Sequence, residues 1–227
     1  MSQTVYQRLK EECAAKNVTL VAVSKIKPAT AIRELYDLGQ KDFGENYVQE
    51  LVEKEASLPK DIHWHFIGHL QSNKVKLIAS FVHLIHAVDS FKLLQEIEKQ
   101  AAKNNRIIDV LLQLHVATEE TKYGMDENEL MTCLEYYTAQ RENLAHIRIR
   151  GLMGMASFTE NQDQVRDELQ QIHTAFVQMK QSYFIGKSYF DTCSMGMSGD
   201  YKMAIEEGST MIRIGSILFG ERNYSTS

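Results

Sequence analysis

Proline is scarce: Pro28 and Pro59 are the only two in 227 residues. No Gly-, Ser- or Pro-rich stretch breaks the chain either, so nothing marks a linker and a single domain over 1–227 is expected. Cysteine is scarce too. Cys13, Cys133 and Cys193 are odd in number and lack metal-type spacing, which argues for free thiols in a reducing cytoplasm and against a disulfide framework. No apolar run approaches the ~18 residues a membrane-spanning helix needs. The polar opening residues lack the apolar centre of a signal peptide. Positive charge is not in excess: a formal net charge of −5 gives no basic footprint for nucleic acid. Neither a G-x-G-x-x-G after the first apolar run nor a Walker sequence occurs, which removes the common nucleotide-binding loops.

What is present is alternation. Short apolar runs at 19–24, 42–44, 63–67, 84–88, 108–115, 147–153, 189–193 and 211–214 read as about eight strands. Several are rich in Val, Ile and Leu without a clean period of two, as expected of parallel strands covered on both faces. Amphipathic segments lie between them. Val165, Leu169, Ile172, Phe176 and Met179 make one apolar stripe. Residues 159–162 in front of it read as a capping box. Asp89 is an N-cap candidate for the stripe Leu93, Leu94, Ile97 and Ala101, and Asp126 or Asn128 for the helix carrying Leu130, Met131 and Leu134. An N-terminal helix followed by about eight strand–helix units predicts an α/β chain folded as a (β/α)8 TIM-type barrel. A doubly wound open sheet is the alternative, and it lacks its usual nucleotide loop.

In such a barrel the chemistry collects where strands end and loops begin. Lys25 ends the first apolar run, ahead of Lys27 and Pro28. A lysine partly dehydrated there has a lowered amine pKa and becomes a nucleophile toward aldehydes; a strand-end lysine snorkelling to water explains the same pattern. Residues 194–198 form a small Ser/Gly turn running into a helical pattern, and Gly215 and Ser216 begin another short segment. Such turns offer free amides to an anion, or are plain helix capping by Ser198. An amine on one side of the rim and a phosphate cradle on the other suit a phosphorylated aldehyde such as pyridoxal 5′-phosphate. Arg213, ending the last strand, is either a cation beside that ligand's ring nitrogen or a barrel-mouth ion pair. His63 and His65 lie on one strand with no third ligand evident, so no metal is assigned; His83 and His86 read as packing or surface residues.

Taken in order, Leu20 to Lys25 with Pro28, Phe43 to Tyr47, Trp64 to Gly68 with Leu70 and Gln71, Lys122 to Gly124, Gly151 to Met155, Ser194 to Ser198 with Asp200, and Arg213 to Gly215 with Phe219 and Gly220 form a highly specific set. The set resembles the pyridoxal phosphate homeostasis protein family (YggS/PROSC type), relatives of the N-terminal barrel of alanine racemase. The resemblance implies a fold type III barrel with an extra N-terminal helix and no second β domain. It implies pyridoxal phosphate held as an internal aldimine at Lys25. It further implies phosphate contacts in the segments of Ser194, Met195, Ser198, Gly215 and Ser216, Arg213 near the ring nitrogen, and Asn46 bordering the ring. Members are described as cytosolic, often monomeric, and concerned with cofactor balance, which makes pyridoxal-phosphate-dependent apo-enzymes candidate partners.

Racemisation needs an acid/base on each face of the substrate α-carbon. In alanine racemase the second base is a tyrosine from a β-rich domain, and this chain ends soon after its last strand. Tyr47 and Tyr123 are rim tyrosines, and nothing in the sequence places either opposite Lys25. The expectation is a carrier with little intrinsic catalysis. A weak amino-acid racemase and a Schiff-base aldolase are the alternatives.

Overall fold

The computed structural model describes residues 3–119 and 123–220. Eight parallel strands close into a barrel in chain order: β1 Thr19–Val23, β2 Asp42–Glu45, β3 His63–Phe66, β4 Leu84–Val88, β5 Ile108–Leu114, β6 Ile147–Gly154, β7 Thr192–Ser194 and β8 Met211–Ile214. β8 pairs with β1 through Thr19↔Met211 to Ala22↔Ile214, so the sheet has no free edge. Around it run α1 Gln3–Ala15, α2 Ala29–Asp37, α3 Val48–Ser57, α4 Val75–Ile78, α5 Phe91–Lys103, α6 Glu127–Ala139, α7 Gln162–Ser182, α8 Tyr201–Glu206 and α9 Ser216–Phe219. The (β/α)8 reading is borne out, including the helix that precedes the first strand. Among the described residues no helix is long and apolar enough to cross a membrane.

Strand residues alternate between two apolar compartments. Leu20, Ala22, Phe43, Trp64, Phe66, Leu152, Cys193, Ile212 and Ile214 join the large cluster between sheet and helices. Val21, Leu84, Ala87, Leu111, Met153 and Met211 form a second, smaller cluster in the lumen. Two bulges adjust this alternation. On β4, His86 and Ala87 together oppose one residue of β5, because Ile85 pairs with Val110 and Val88 with Leu112. On β6, Arg150 is the extra residue, since Val110 pairs with Ile149 and Leu111 already with Gly151.

The helix stripes pack as their spacing requires: Val165, Leu169, Ile172, Phe176 and Met179 are buried on α7, and Leu93, Leu94, Ile97 and Ala101 on α5. Asp126 caps α6 in a reciprocal box with Glu129. Two caps fall elsewhere than expected. Ser90, not Asp89, accepts from Leu93 N–H (3.3 Å) on α5, leaving Asp89 to bond His69. Asn161 accepts from Gln164 N–H (3.2 Å) on α7, and Thr159 instead accepts from Asn161 N–H. The seventh strand is also displaced toward 192–194. Phe190, which gave the run at 189–193 its apolar look, lies outside the sheet and stacks on Phe184 and Phe176 with ring centroids 4.2 and 5.2 Å apart.

Gly151 shows how tightly the second bulge is built. Its φ is +154°, and a Cβ there would sit 1.7 Å from the Thr192 carbonyl oxygen. Gly151→Ala must therefore push β6 and β7 apart, and is expected to cost more than about 2 kcal/mol in urea unfolding.

Candidate functional site

Lys25 is carried on a strained turn. β1 gives way to Ser24, and Lys27 N–H closes on Ser24 C=O at 3.0 Å. Lys25 therefore takes the second position of a four-residue turn. The third, Ile26, has φ +62°, a conformation a β-branched residue adopts only when its surroundings impose it. Those surroundings are explicit. Glu50 accepts from Ile26 N–H at 2.7 Å. Lys54 Nζ donates to Ser24 C=O at 2.8 Å, to Glu45 Oε1 at 2.8 Å and to Glu50 Oε1 at 2.5 Å. Ser24 Oγ donates to Glu45 at 2.6 Å. Glu45 and Lys54 are both buried, a placement tolerated only because each has several partners. Burial pushes the Glu45 carboxyl up to about 7 despite the opposing pull of Lys54.

Above this turn opens a cavity of about 610 Å³. Its wall includes Lys25 and Lys27 after β1, Asn46 after β2, Ile67 after β3, Met155 after β6, Ser198 and Gly199 after β7, Arg213 on β8, and Gly215 and Ser216 after it. Six of the eight expected site residues thus meet at one opening: Lys25, Asn46, Ser198, Arg213, Gly215 and Ser216. Ser194 and Met195 do not reach the wall; both are fully buried behind it. Asn46 Oδ1 is buried without a hydrogen-bond partner. Its backbone is pinned by Gly68, where a Cβ would lie 2.3 Å from the Asn46 carbonyl oxygen. Ser198 Oγ accepts from Gly215 N–H at 3.4 Å, joining the two small loops. Neither Tyr47 nor Tyr123 is on the wall, and no tyrosine is, among the described residues. Tyr123 stacks on His69 with centroids 3.9 Å apart. Lys122 lies outside the described residues.

Arg213 is a buried cation. Its Nη1 donates to Ser194 C=O (2.7 Å) and Ser194 Oγ (2.6 Å), and its Nη2 to Gly154 C=O (2.9 Å). Burial lowers its pKa to about 10, with Asp200 pulling the other way, so it stays charged at neutral pH. Ser194 Oγ is 3.2 Å from His86 Nδ1, His86 Nε2 is 2.9 Å from His65 Nδ1, and His65 Nε2 is 3.0 Å from Asp42 Oδ1. β4 and β7 are not neighbours, so the His86–Ser194 contact crosses the lumen. The two ends of the file are fixed by chemistry: Arg213 only donates, so Ser194 Oγ accepts from it, and the Asp42 carboxylate only accepts, so His65 donates to it. Burial, then His65 and Arg213, hold His86 well below its ordinary pKa, so His86 is a neutral member of the file. At the far end burial pushes Asp42 up, and the hydrogen bonds and charges of His65 and His63 together more than offset it, leaving the carboxyl below its usual range. Sequence reasoning set His65 and His86 aside. The available signal was polar residues at lumen-facing strand positions, but the β4 bulge that brings His86 inside leaves no local mark.

The Glu45 shift has a pH consequence. With a folded value near 7 against 4.5 unfolded, the group favours folding below about 4.5, and that contribution is lost as pH rises through about 7. The stability of the wild type relative to Glu45→Gln, measured by urea unfolding, is expected to fall between about pH 5 and about pH 8. A flat difference would mean that Glu45 titrates as an ordinary carboxylate.

The chain matches the family model for the alanine racemase N-terminal domain over residues 4–223. It is 41% identical over 215 residues to the pyridoxal phosphate homeostasis protein of Aquifex aeolicus, covering 94% of this chain and 90% of that one. Its identity to the Escherichia coli K12 protein of the same name is 38% over 214 residues, covering 92% and 88%. PipY of Synechococcus elongatus, solved without and with PLP bound, superimposes with TM-scores of 0.86 and 0.81 at 35% identity, over 95% of this chain and all of PipY. Alanine racemase of Bartonella henselae shares the fold, with a TM-score of 0.67 at 17% identity, over 96% of this chain and 59% of the racemase. With a family model and relatives that each span nearly all of it, the chain belongs to the pyridoxal phosphate homeostasis protein family, built on the alanine racemase N-terminal barrel.

Proposed function

We propose that this protein binds pyridoxal 5′-phosphate in the cavity above β1 and β8, holds it covalently through Lys25, and serves the intracellular balance of that cofactor with little chemistry of its own. The observation that carries the reading is the meeting of Lys25, Arg213 and the unpartnered Asn46 Oδ1 at one opening of about 610 Å³. When bound, pyridoxal phosphate supplies an aldehyde that condenses with a primary amine and a conjugated ring that draws electrons from it.

The residues present fit that ligand. The Ser24 turn presents the Lys25 amine for the aldehyde. Ser198, Gly215 and Ser216 give hydroxyls and loop amides to a phosphate, and the Ser198–Gly215 bond keeps the two loops together. Arg213 has donors only, so it leaves a ring nitrogen facing it unprotonated and limits how strongly the ring can stabilise a carbanion. Asn46 borders the ring with an unused acceptor. Ser194 acts through Arg213, fixing two of its donors, and Met195 packs behind the loop. A cavity wall without a tyrosine among the described residues offers no second acid/base of the racemase kind there, which supports a carrier over a racemase. PipY has been solved with PLP bound, and relatives of similar length carry the homeostasis name. The same reading takes the protein as a cytoplasmic monomer that passes its cargo to pyridoxal-phosphate-dependent apo-enzymes.

The purified protein reconstituted with pyridoxal phosphate is expected to show a visible band, and hydride reduction to fix the cofactor's mass on the peptide containing Lys25. Lys25→Ala should lose both signals while keeping part of the phosphate-anchored affinity. A visible band that survives in Lys25→Ala would defeat the lysine assignment. Rapid exchange of the alanine α-hydrogen in heavy water would replace the carrier reading with the racemase one.

A further inference from the structure

The opposite mouth of the barrel carries a group of side chains that the cofactor site does not use. Asp42, His63 and His83 sit at or just before the first residues of β2, β3 and β4, three consecutive strands. Parallel pairing sets Asp42 directly beside His63, and His83 N–H bonds Trp64 C=O at 2.9 Å, so the register alone draws the three side chains to one spot on the rim. One ligand atom from each, a carboxylate oxygen and two imidazole nitrogens, lies within 4.8 Å of the other two. The His63 and His83 rings are stacked, with centroids 4.4 Å apart and planes 16° apart, and His63 Nδ1 is 3.2 Å from Asp42 Oδ1.

We propose that Asp42, His63 and His83 form a binding site for a divalent transition-metal ion of the zinc or cobalt class, at the end of the barrel opposite Lys25. Two imidazoles and one carboxylate suit such an ion, and the solvent side leaves room for water as the remaining ligand. His63 is half exposed and His83 partly buried, so an ion reaches the site directly from water. His65 donates to Asp42 from inside the barrel and is the outer partner that orients the ligating carboxylate, the arrangement metal sites commonly use. Asp109, the next acidic side chain along this rim, is engaged by Arg148 at 2.7 and 2.9 Å and is therefore not counted among the ligands.

The test uses untagged, chelator-stripped protein free of pyridoxal phosphate, titrated with Zn²⁺ by calorimetry and with Co²⁺ by visible absorption. The wild type is expected to take up one equivalent and to develop cobalt d–d bands. His63→Gln and His83→Gln should each weaken uptake at least about tenfold, while His69→Gln, at the separate His69–Asp89 pair, should bind as the wild type does. Because His63 is half exposed, His63→Gln is expected to keep the wild-type circular dichroism, and it remains informative if His83→Gln does not fold. No saturable uptake by the wild type, or uptake unchanged in His63→Gln, overturns the proposal. Neither result depends on the Lys25 assignment, which is read from the cofactor's own absorbance.

Discussion

A guanidinium buried in a barrel lumen must be kept charged without a carboxylate beside it, and much of this molecule follows from how that is done. Arg213 is surrounded by two carbonyl oxygens and one hydroxyl. That hydroxyl begins a file of donors ending on Asp42, at the other mouth of the barrel. Ser194 Oγ and both ring nitrogens of His86 and of His65 each have a partner, in a place where an unmet polar atom costs about 1–3 kcal/mol. The lumen is consequently divided: Val21, Leu84, Ala87, Leu111, Met153 and Met211 fill one part, and the polar file occupies the rest.

A second buried network does comparable work outside the lumen. Lys54 and Glu50 grip the backbone at Ser24 C=O and Ile26 N–H, Glu45 holds Lys54 and the Ser24 hydroxyl, and together they keep Ile26 at a positive φ. A glycine would sit in that turn without strain, and would also let it relax. The β-branched residue needs the network, and with the network the direction of the Lys25 side chain is set by backbone that has little freedom to move. The two cationic side chains at the cavity, Lys25 and Arg213, are thus each positioned by buried polar groups on other elements: the turn of Lys25 by the Lys54 network, and Arg213 by the neutral oxygens of Ser194 and Gly154.

How much of this was legible in the sequence depends on distance along the chain. The barrel followed from apolar runs alternating with helical stripes, since both periods are local. That Lys25, Asn46, Ser198, Arg213, Gly215 and Ser216 share one opening was legible because all lie near strand ends or in the loops that follow, and closure of the sheet brings strand ends together. Ser194 was expected at the phosphate and lies instead under Arg213, because its position on the last residue of β7 turns it into the lumen. His86 and His65 are 21 residues apart, and His86 and Ser194 are 108 apart. No local pattern pairs them, and only the closed barrel and the β4 bulge do. The same holds for His83, whose closeness to His63 comes from strand pairing. The shifted caps at Ser90 and Asn161 have a simpler origin: adjacent residues offer equivalent oxygens, and the one whose backbone is extended at the right point wins.

The same packing withdraws every thiol of the chain from solvent. Cys13, Cys133 and Cys193 are all free and all buried. Burial, reinforced at Cys13 by Glu12 and opposed at Cys193 by Arg213, raises them to about 11, 12 and 12. None is therefore a thiolate at physiological pH, and none faces solvent. No sulfur nucleophile is therefore offered to an electrophile entering from solvent, and the way the interior is packed shields all three thiols from adduct formation.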